Sequence, residues 1–349
     1  MNEKKISYVE KQVFVGIDVH RHSYTISCIC EGEVVHRGKF PSDGDLVIRF
    51  LKSRFSGAEL LTAYEAGFSG FVLHRELEAA GIRNIVVNAS SVEIASRDRV
   101  KTDRRDSLKL ALQLSTGRLR GIAVPSEAQE LHRVLSRSRA QFVKLRTKVR
   151  NQLRMRLHQF GYLPKELRWE LTQKKAQALS ESIREAELGF VVAEYLALWT
   201  SMEERIAAFD GALAKQAAED ELERIYRSAS GIGRVSARVL ANELGDLRRF
   251  PNERALFSFT GLTPSEYSSG EKRYLGHISR QGSARVRAVL IECAWTAIKR
   301  DEKLREDFLR ISTRAGRKRA IVAVARKLIG RIRAAFDTGE YLPGHRIAA

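Results

Sequence analysis

The chain has 349 residues, 44% apolar and 30% charged, a balance typical of a globular protein with room for two or three hydrophobic cores. Lys and Arg outnumber Asp and Glu by 61 to 42, and this net charge of +19, spread along the chain, favours a nucleic-acid partner over a membrane surface. No apolar run could cross a bilayer, no signal peptide is evident, and three scattered cysteines exclude a disulfide framework or a zinc site, so we expect a cytoplasmic protein.

The first 90 residues alternate between strand and helix patterns. Residues 12–40 predict three short strands, because VFVGIDV is apolar and β-branched whereas YTISCIC and EVVHRGKF alternate. A helix at Asp45–Arg54, a strand over ELLTAYEAG, a helix at Ser69–Ala80, a strand over IRNIVVN and a helix starting near Ser90 follow. Three hairpin-type strands followed by alternating helix and strand indicate an RNase H-like α/β fold, a mixed sheet flanked by helices.

Four acidic residues occupy positions where this fold would bring them together. Asp18 ends the first predicted strand and Glu65 ends the fourth, and strand ends are where open sheets usually place their sites. Asp103 and Asp106 lie three apart at the start of a helical pattern, so they share a helix face. Four converging carboxylates would repel each other unless cations lay between them, and two Mg²⁺ ions would suit a DNA phosphate. The alternative for each residue alone is a turn former or, for Asp103, a helix cap.

The middle of the chain is predicted to be helical and basic. Residues 125–162 carry an apolar stripe of coiled-coil spacing: Leu131, Leu135, Phe142, Leu145, Val149 and Leu153. The other faces carry Arg and Lys, which either face solvent or contact a nucleic-acid backbone. After a break at Pro164, residues 167–225 resume as helices with a second stripe: Tyr195, Leu198, Trp199, Met202, Ile206 and Phe209. We expect an antiparallel helical hairpin that serves dimerisation.

Two further segments favour contact with phosphate. The sequence ERIYRSASGIGRVSARVLANELG predicts a helix-hairpin-helix pattern, whose Gly-Ile-Gly turn at 231–233 is either a phosphate-binding helix N-terminus or a plain connection. Residues Gly261–Leu290 predict a turn-rich loop leading into a basic helix over Ser283–Arg300, and a basic tail follows. Serine hydroxyls and guanidinium groups in this loop suit a phosphate and offer a nucleophile, although such loops are often plain solvated or DNA-backbone loops.

Several short motifs, in this order, resemble one known family. GID at 16–18, YEAG at 64–67 and KTDRRD at 101–106 look like the four acids of the DEDD transposases of bacterial insertion sequences. SASGIG at 228–233, FTGLTPSEYSSG at 259–270 and GHISRQG at 276–282 look like the C-terminal transposase domain of that family. The family includes Piv-type DNA invertases and bridge-RNA-guided recombinases, and the resemblance covers nearly the whole chain.

The resemblance implies a catalytic apparatus. A RuvC-like domain would bind Mg²⁺ through Asp18, Glu65, Asp103 and Asp106. The family's nucleophile, a serine just before the Gly of an SG motif, falls on Ser269, which would form a covalent phosphoserine link to DNA. Ser268 adjoins it, so the identity of the nucleophile stays open between the two. Relatives act as tetramers in which the acids of one protomer meet the serine of another, and many use a structured bridge RNA.

The predicted organisation is therefore α/β followed by all-α, in the bacterial cytoplasm. We expect a RuvC-like catalytic domain over 1–120, a coiled-coil dimerisation region over 121–225 and a mainly helical transposase domain with the serine loop over 226–349. The expected function is DNA recombination that mobilises an insertion sequence. We expect the chain to form a homo-oligomer that binds DNA and a guide RNA. The alternatives are a hydrolytic, junction-resolving RuvC-like nuclease, and a nucleic-acid-binding protein with a degenerate nuclease fold.

Overall fold

The chain forms two compact units, Met1–Pro125 and Ser126–Ala349. A computed structural model describes residues 7–92, 102–164, 171–218, 220–269 and 272–339. Within these residues, no helix combines the length and apolar character that a membrane span requires. Each unit has its own hydrophobic cores and is described by itself.

The first unit is a five-stranded mixed sheet with helices, as the sequence predicts. The order across the sheet is β3-β2-β1-β4-β5, with β1, β2 and β3 antiparallel and β1, β4 and β5 parallel. Its strands are β1 Gln12–Val19, β2 Ser23–Cys30, β3 Glu33–Pro41, β4 Glu59–Glu65 and β5 Arg83–Val87. Its helices are α1 Gly44–Arg54, α2 Val72–Ala79 and α3 Asp103–Ser115.

Helix α3 packs directly on the central strand β1. A side chain at Gly16 would collide with the backbone oxygen of Ser107 and the backbone nitrogen of Ala111, so only glycine permits this approach. A buried hydrogen bond between the Ser27 and Ser107 hydroxyls, 2.9 Å long, ties the same helix to β2. The close packing fixes where the first turn of α3 lies relative to the end of β1.

Two helix predictions in this unit need correction. Helix α2 begins at Val72 and not at Ser69, because Gly70 adopts a positive φ of 64° and the Tyr64 hydroxyl donates to its carbonyl, which holds the preceding residues in a turn. The helix expected near Ser90 is a single 3-10 turn, Ala89–Ser91, capped by the Asn88 side chain. Residues 93–101, over which that helix was expected to continue, lie outside the described part.

The second unit is mainly helical. Its helices are α4 Glu127–Gln159, α5 Gln173–Ser180, α6 Ala186–Ala218, α7 Glu221–Ser228, α8 Arg234–Leu244, α9 Glu253–Thr260, α10 Ala284–Ala297, α11 Glu302–Ala315 and α12 Arg317–Thr338. One antiparallel hairpin, β6 Pro264–Ser269 with β7 Lys272–Ile278, lies between α9 and α10. Helices α7 to α12 enclose one hydrophobic core that includes Tyr226, Leu290 and Leu328.

Helices α4 and α6 run antiparallel, in agreement with the predicted helical hairpin. The ion pairs Arg139–Asp210 (2.9 Å) and Arg146–Glu203 (3.2 Å) show this direction, because residue numbers increase along α4 as those of the partners decrease along α6. The predicted stripe on α4 is only partly used in this pairing. Val149 and Leu153 are buried, whereas Leu131 and Leu145 are 68% and 48% exposed. Use of this region for dimerisation stays a prediction.

Candidate active site

Asp18 and Glu65 lie at the carboxyl ends of neighbouring parallel strands. Ile17 of β1 lies opposite Tyr64 of β4, so Asp18 and Glu65 occupy the next positions at the carboxyl ends of the two strands. Both residues are half-buried. Crevices at the carboxyl ends of parallel strands are the usual location of sites in open sheets, and the register places these two acids at that edge.

The other two acids lie in the first turn of α3. Asp103 is its first residue and Asp106 its fourth. The cap of this helix is the side chain of Thr102, which accepts a hydrogen bond from the Arg105 backbone N–H at 3.4 Å. The capping role considered for Asp103 is therefore filled by its neighbour. Asp103 is free to project a carboxylate, and the positive end of the helix dipole stabilises a carboxylate there.

A histidine that the sequence analysis missed lies between two of these carboxylates. His20 Nε2 is 3.1 Å from Asp18 Oδ2 and 3.2 Å from Asp103 Oδ1. Asp18, His20 and Asp103 each offer a ligand atom within 4.8 Å of the others. The available signal was the spacing in GIDVH, where residues two apart at a strand end lie on one face.

The pKa of Asp18 reflects its burial and the negative charges near it. Burial is the largest cause that raises the pKa of the Asp18 carboxyl above its ordinary value, and the charges of Asp103 and Asp106 raise it further. His20 acts in the opposite direction. The structure therefore brings Asp18, Asp103 and Asp106 within electrostatic reach of one another, and Glu65 ends the adjacent strand.

The donor set fits a divalent cation. Carboxylate oxygens are the ligands that Mg²⁺ and Mn²⁺ prefer, and an imidazole nitrogen adds affinity for transition metals. A cation here would offset the burial and the charge repulsion that together raise the pKa of Asp18. The acidic edge, defined here as Asp18, His20, Asp103 and Asp106 with Glu65 on the neighbouring strand, is thus chemically able to hold a metal.

The candidate serine belongs to the second unit, on a β-hairpin and not on the turn-rich loop that the sequence predicted. Ser269 ends β6 and pairs with Lys272, and Ser268 pairs with Arg273. The side chains of residues 268–273 lie outside the described part of the chain. Glycines and a proline favoured a loop, but residues 264–269 and 272–278 pair as antiparallel strands, with the tyrosine of one strand directly opposite the tyrosine of the other.

The base of this hairpin is tightly fixed. A side chain at Gly261 would collide with the Gln281 carbonyl, and one at Gly282 would collide with the Phe259 carbonyl, where the backbone has a φ of 113°. Arg287 donates from Nη1 to the Thr260 carbonyl at 3.0 Å, which joins α10 to the end of α9. The hairpin therefore emerges from a rigid junction of two helices.

The predicted helix-hairpin-helix corresponds to α7 and α8. Gly231 has a φ of 87°, and a side chain there would meet the backbone of Cys293 and Ala297, so the turn packs against α10. Gly233 precedes α8 with no side-chain cap. Behind the turn, Arg238 forms a buried ion pair with Glu223 at 3.1 Å. The turn has a structural role, and its phosphate-binding role stays a prediction.

Comparison with known protein families agrees with this arrangement. Residues 15–161, which include Asp18, Glu65, Asp103 and Asp106, match the DEDD transposase model of the IS110 type. Residues 15–161 therefore belong to the class of DEDD transposases. Residues 223–309, which include Ser269, match the model described as transposase of the IS116/IS110/IS902 family.

Individual relatives give the same result. The chain is 31% identical to a putative transposase of Sinorhizobium fredii, y4qE, over 82% of this chain and 72% of the relative. It is 25% identical to the transposase for insertion sequence element IS1533 of Leptospira borgpetersenii, over 82% of this chain and 86% of that protein. The transposase for IS1328 of Yersinia enterocolitica is also 25% identical, over 82% and 84%. The chain belongs to the IS110 family of insertion-sequence transposases.

Proposed function

We propose that this transposase mobilises its insertion sequence by cutting and rejoining DNA through a serine nucleophile, with a Mg²⁺-binding acidic edge. The observation that carries the proposal is the convergence of Asp18, Asp103 and Asp106 beside the end of β4 in a chain with a net charge of +19. The proposed domains are the catalytic region 1–120, the coiled-coil region 121–225 and the transposase region 226–349.

Mg²⁺ would be held by Asp18, Glu65, Asp103 and Asp106. When bound, it would neutralise phosphate charge and stabilise charge on the attacking and leaving oxygens. His20 Nε2 lies 3.1 Å from the Asp18 carboxylate and 3.2 Å from the Asp103 carboxylate, so it would help to orient both acids toward a common point. Strand ends and a helix N-terminus form a rigid base, which suits a site that must hold its geometry.

Ser269 would act as the nucleophile. Its hydroxyl oxygen forms a bond to the DNA phosphorus, the bond from phosphorus to the leaving oxygen of the DNA strand breaks, and the serine proton is passed on while the leaving oxygen gains one. The phosphodiester is replaced by a phosphoserine ester of similar energy. A second DNA end can therefore attack that ester and release the serine without a separate energy source.

The basic residues near the hairpin would support this chemistry. Between Gly261 and Leu290 the sequence has five positive residues, Lys272, Arg273, Arg280, Arg285 and Arg287, against two glutamates. Guanidinium groups bind phosphate oxygens with forked hydrogen bonds and stabilise the developing negative charge. This excess of positive charge supports DNA as the partner.

A structured bridge RNA and a homo-oligomer, from dimer to tetramer, complete the proposal. Both follow from the resemblance to guided recombinases of the family. The partly exposed apolar residues Leu131 and Leu145 on α4 support an association surface, because an apolar stripe of coiled-coil spacing is typical of helix pairing. A guide RNA requires positive charge and shape rather than a protein motif, since base pairing carries the sequence.

Trapping of the covalent intermediate tests the serine mechanism. The protein is purified with its native flanking DNA and any associated RNA, incubated with Mg²⁺, and denatured to preserve protein–DNA adducts. We expect wild type to form an adduct whose peptide maps to Ser269, and Ser269→Ala to lose both adduct and recombination. Ser268→Ala is the matched control and keeps both. If only Ser268→Ala loses activity, the nucleophile is Ser268, and if both variants remain active, the mechanism is wrong.

A hydrolytic RuvC-like nuclease is the second candidate. The acidic edge favours it, because clustered carboxylates with a metal are sufficient to activate water against a phosphodiester. In that case the serines only bind phosphate. Mg²⁺-dependent cleavage with no protein–DNA adduct, unchanged in the Ser268→Ala and Ser269→Ala variants, is the result expected from this mechanism.

A further inference from the structure

Two tyrosines on the serine hairpin are unusually exposed. Tyr267 of β6 and Tyr274 of β7 lie directly opposite each other, and their exposed fractions are 81% and 63%. Cross-strand aromatic pairs can stabilise a hairpin. Here, however, most of both rings remains accessible to solvent, so the pairing of the strands alone does not use the aromatic surface.

The register relates this pair to the candidate nucleophile. Successive positions of a strand face opposite sides, so position 269 falls on the same face as position 267, and position 268 falls on the other. On β7, position 272 pairs with 269 and therefore shares the face of Tyr274. The exposed pair and the position of Ser269 thus occupy one face of one hairpin.

The charge of the segment that contains this hairpin indicates the chemistry of a partner. The segment Gly261–Leu290 has an excess of positive charge, with five Lys and Arg against two Glu. Exposed aromatic rings in a positively charged segment match a nucleic-acid strand, which offers planar bases and negative phosphates. In a duplex the faces of the bases are stacked on each other, so rings can reach those faces only where the strand is unpaired or distorted.

We propose that Tyr267 and Tyr274 are positioning residues that stack on unpaired DNA bases next to the phosphate that is cut. Strand exchange separates bases from their old partners before they meet new ones, and the tyrosines hold the separated bases during this interval. Stacking is tolerant of sequence, because every base has an aromatic face. The fixed junction at Gly261 and Gly282 gives the pair a defined position. The inference rests on the proposed function for the location of the cut.

Binding to a mismatched bubble tests the proposal without any chemistry. The full-length Ser269→Ala protein is titrated by fluorescence anisotropy with a short duplex and with the same duplex carrying an unpaired central bubble that contains 5-bromouracil. We expect tighter binding to the bubble, and ultraviolet crosslinks that map to Tyr267 or Tyr274. Each Tyr→Ala variant should weaken binding to the bubble by about tenfold, with binding to the duplex little changed.

Matched variants separate stacking from other effects. Tyr267→Phe and Tyr274→Phe keep the ring and should bind like the parent, whereas Tyr→Ile variants keep strand propensity without the ring and should bind like Ala. Phe190→Ala removes an exposed aromatic residue on α6, 67% exposed, and should have no effect. Equal binding of bubble and duplex by the parent, or loss with Phe as well as Ala, would overturn the proposal. If wild type forms no serine–DNA adduct in the separate trapping assay while the bubble-binding results are as expected, only the proposed function is overturned.

Discussion

The acidic edge and the serine hairpin are built in opposite ways. The acids project from the ends of buried strands and from a helix whose backbone contacts β1 at Gly16. The hairpin has only two strands, and its tyrosines face solvent, although its base is fixed by Gly261 and Gly282. Two-stranded sheets are marginally stable in water without further packing. The proposed metal site is therefore held in place by the fold, whereas the proposed nucleic-acid surface lies on an exposed hairpin.

Removal of a carboxylate from the acidic edge is expected to have the largest effect. Asp103→Asn should lower DNA cleavage by about a hundredfold or more, because the variant loses a ligand of the proposed metal ion that would neutralise the reacting phosphate. Thermal unfolding should change little, since Thr102 and not Asp103 caps α3. A plasmid recombination assay and a melting curve check both expectations. Retained cleavage would show that Asp103 lies outside the site.

A glycine-to-alanine substitution in the first unit and another in the hairpin test whether the backbone beside the acidic edge is more tightly packed than the hairpin. At Gly16 the new atom would meet the backbone of Ser107 and Ala111, which cannot move aside, so Gly16→Ala should cost about 1–3 kcal/mol of unfolding free energy. At Gly276 the obstacle is the Ser265 hydroxyl on a rotatable side chain, so Gly276→Ala should change stability by about 0.5 kcal/mol at most. Chemical denaturation measures both, and equal costs would contradict the contrast.

Loss of the α3 cap should lower stability and leave cleavage unchanged, which is the reverse of the result expected for Asp103→Asn. Thr102→Ala removes the hydrogen bond to the Arg105 backbone N–H and should cost about 1 kcal/mol of stability. Cleavage by the folded variant should persist, because the acids keep their charges. A denaturant titration beside a cleavage assay distinguishes this profile from that of Asp103→Asn. A Thr102→Ser variant keeps the hydroxyl and serves as the control.

The pH dependence of the unfolding free energy should reveal the unfavourable burial and charge repulsion of the Asp18 carboxylate. Its pKa in the folded protein is raised from 3.8, first by burial and then by Asp103 and Asp106. The folded state therefore favours the protonated carboxyl, and stability is lost as the pH rises through the folded pKa. Asp18→Asn should be more stable than wild type at neutral pH in the presence of a chelator, and the difference should vanish below the ordinary pKa. Added Mg²⁺ should stabilise wild type more than the variant.

The acidic edge was largely predictable from sequence. Strand alternation placed Asp18 and Glu65 at strand ends, and helical spacing placed Asp103 and Asp106 on one face. His20 escaped notice although it lies two residues after Asp18, because the spacing alone does not show that helix α3 places the Asp103 carboxylate beside the same imidazole. The hairpin escaped for a different reason. Glycine and proline are strong local turn signals, and residues 264–269 and 272–278 show no apolar alternation that would have opposed them.

The exposure of Leu131 and Leu145 marks another limit of sequence reasoning. Heptad spacing identified an apolar stripe on α4, but spacing alone does not distinguish a contact within the chain from one between chains. In the structure, Val149 and Leu153 pack in the core with α6 whereas Leu131 and Leu145 do not. What packs on Leu131 and Leu145 depends on how chains associate, and the sequence of one chain does not specify this.

The position of His20 has a consequence for the way substitutions act on the acidic edge. Its ring nitrogen lies within 3.2 Å of the carboxylates of Asp18, in β1, and Asp103, in α3. One side chain therefore touches two segments that are far apart in the sequence, and any residue that replaces His20 changes the surroundings of both acids at once.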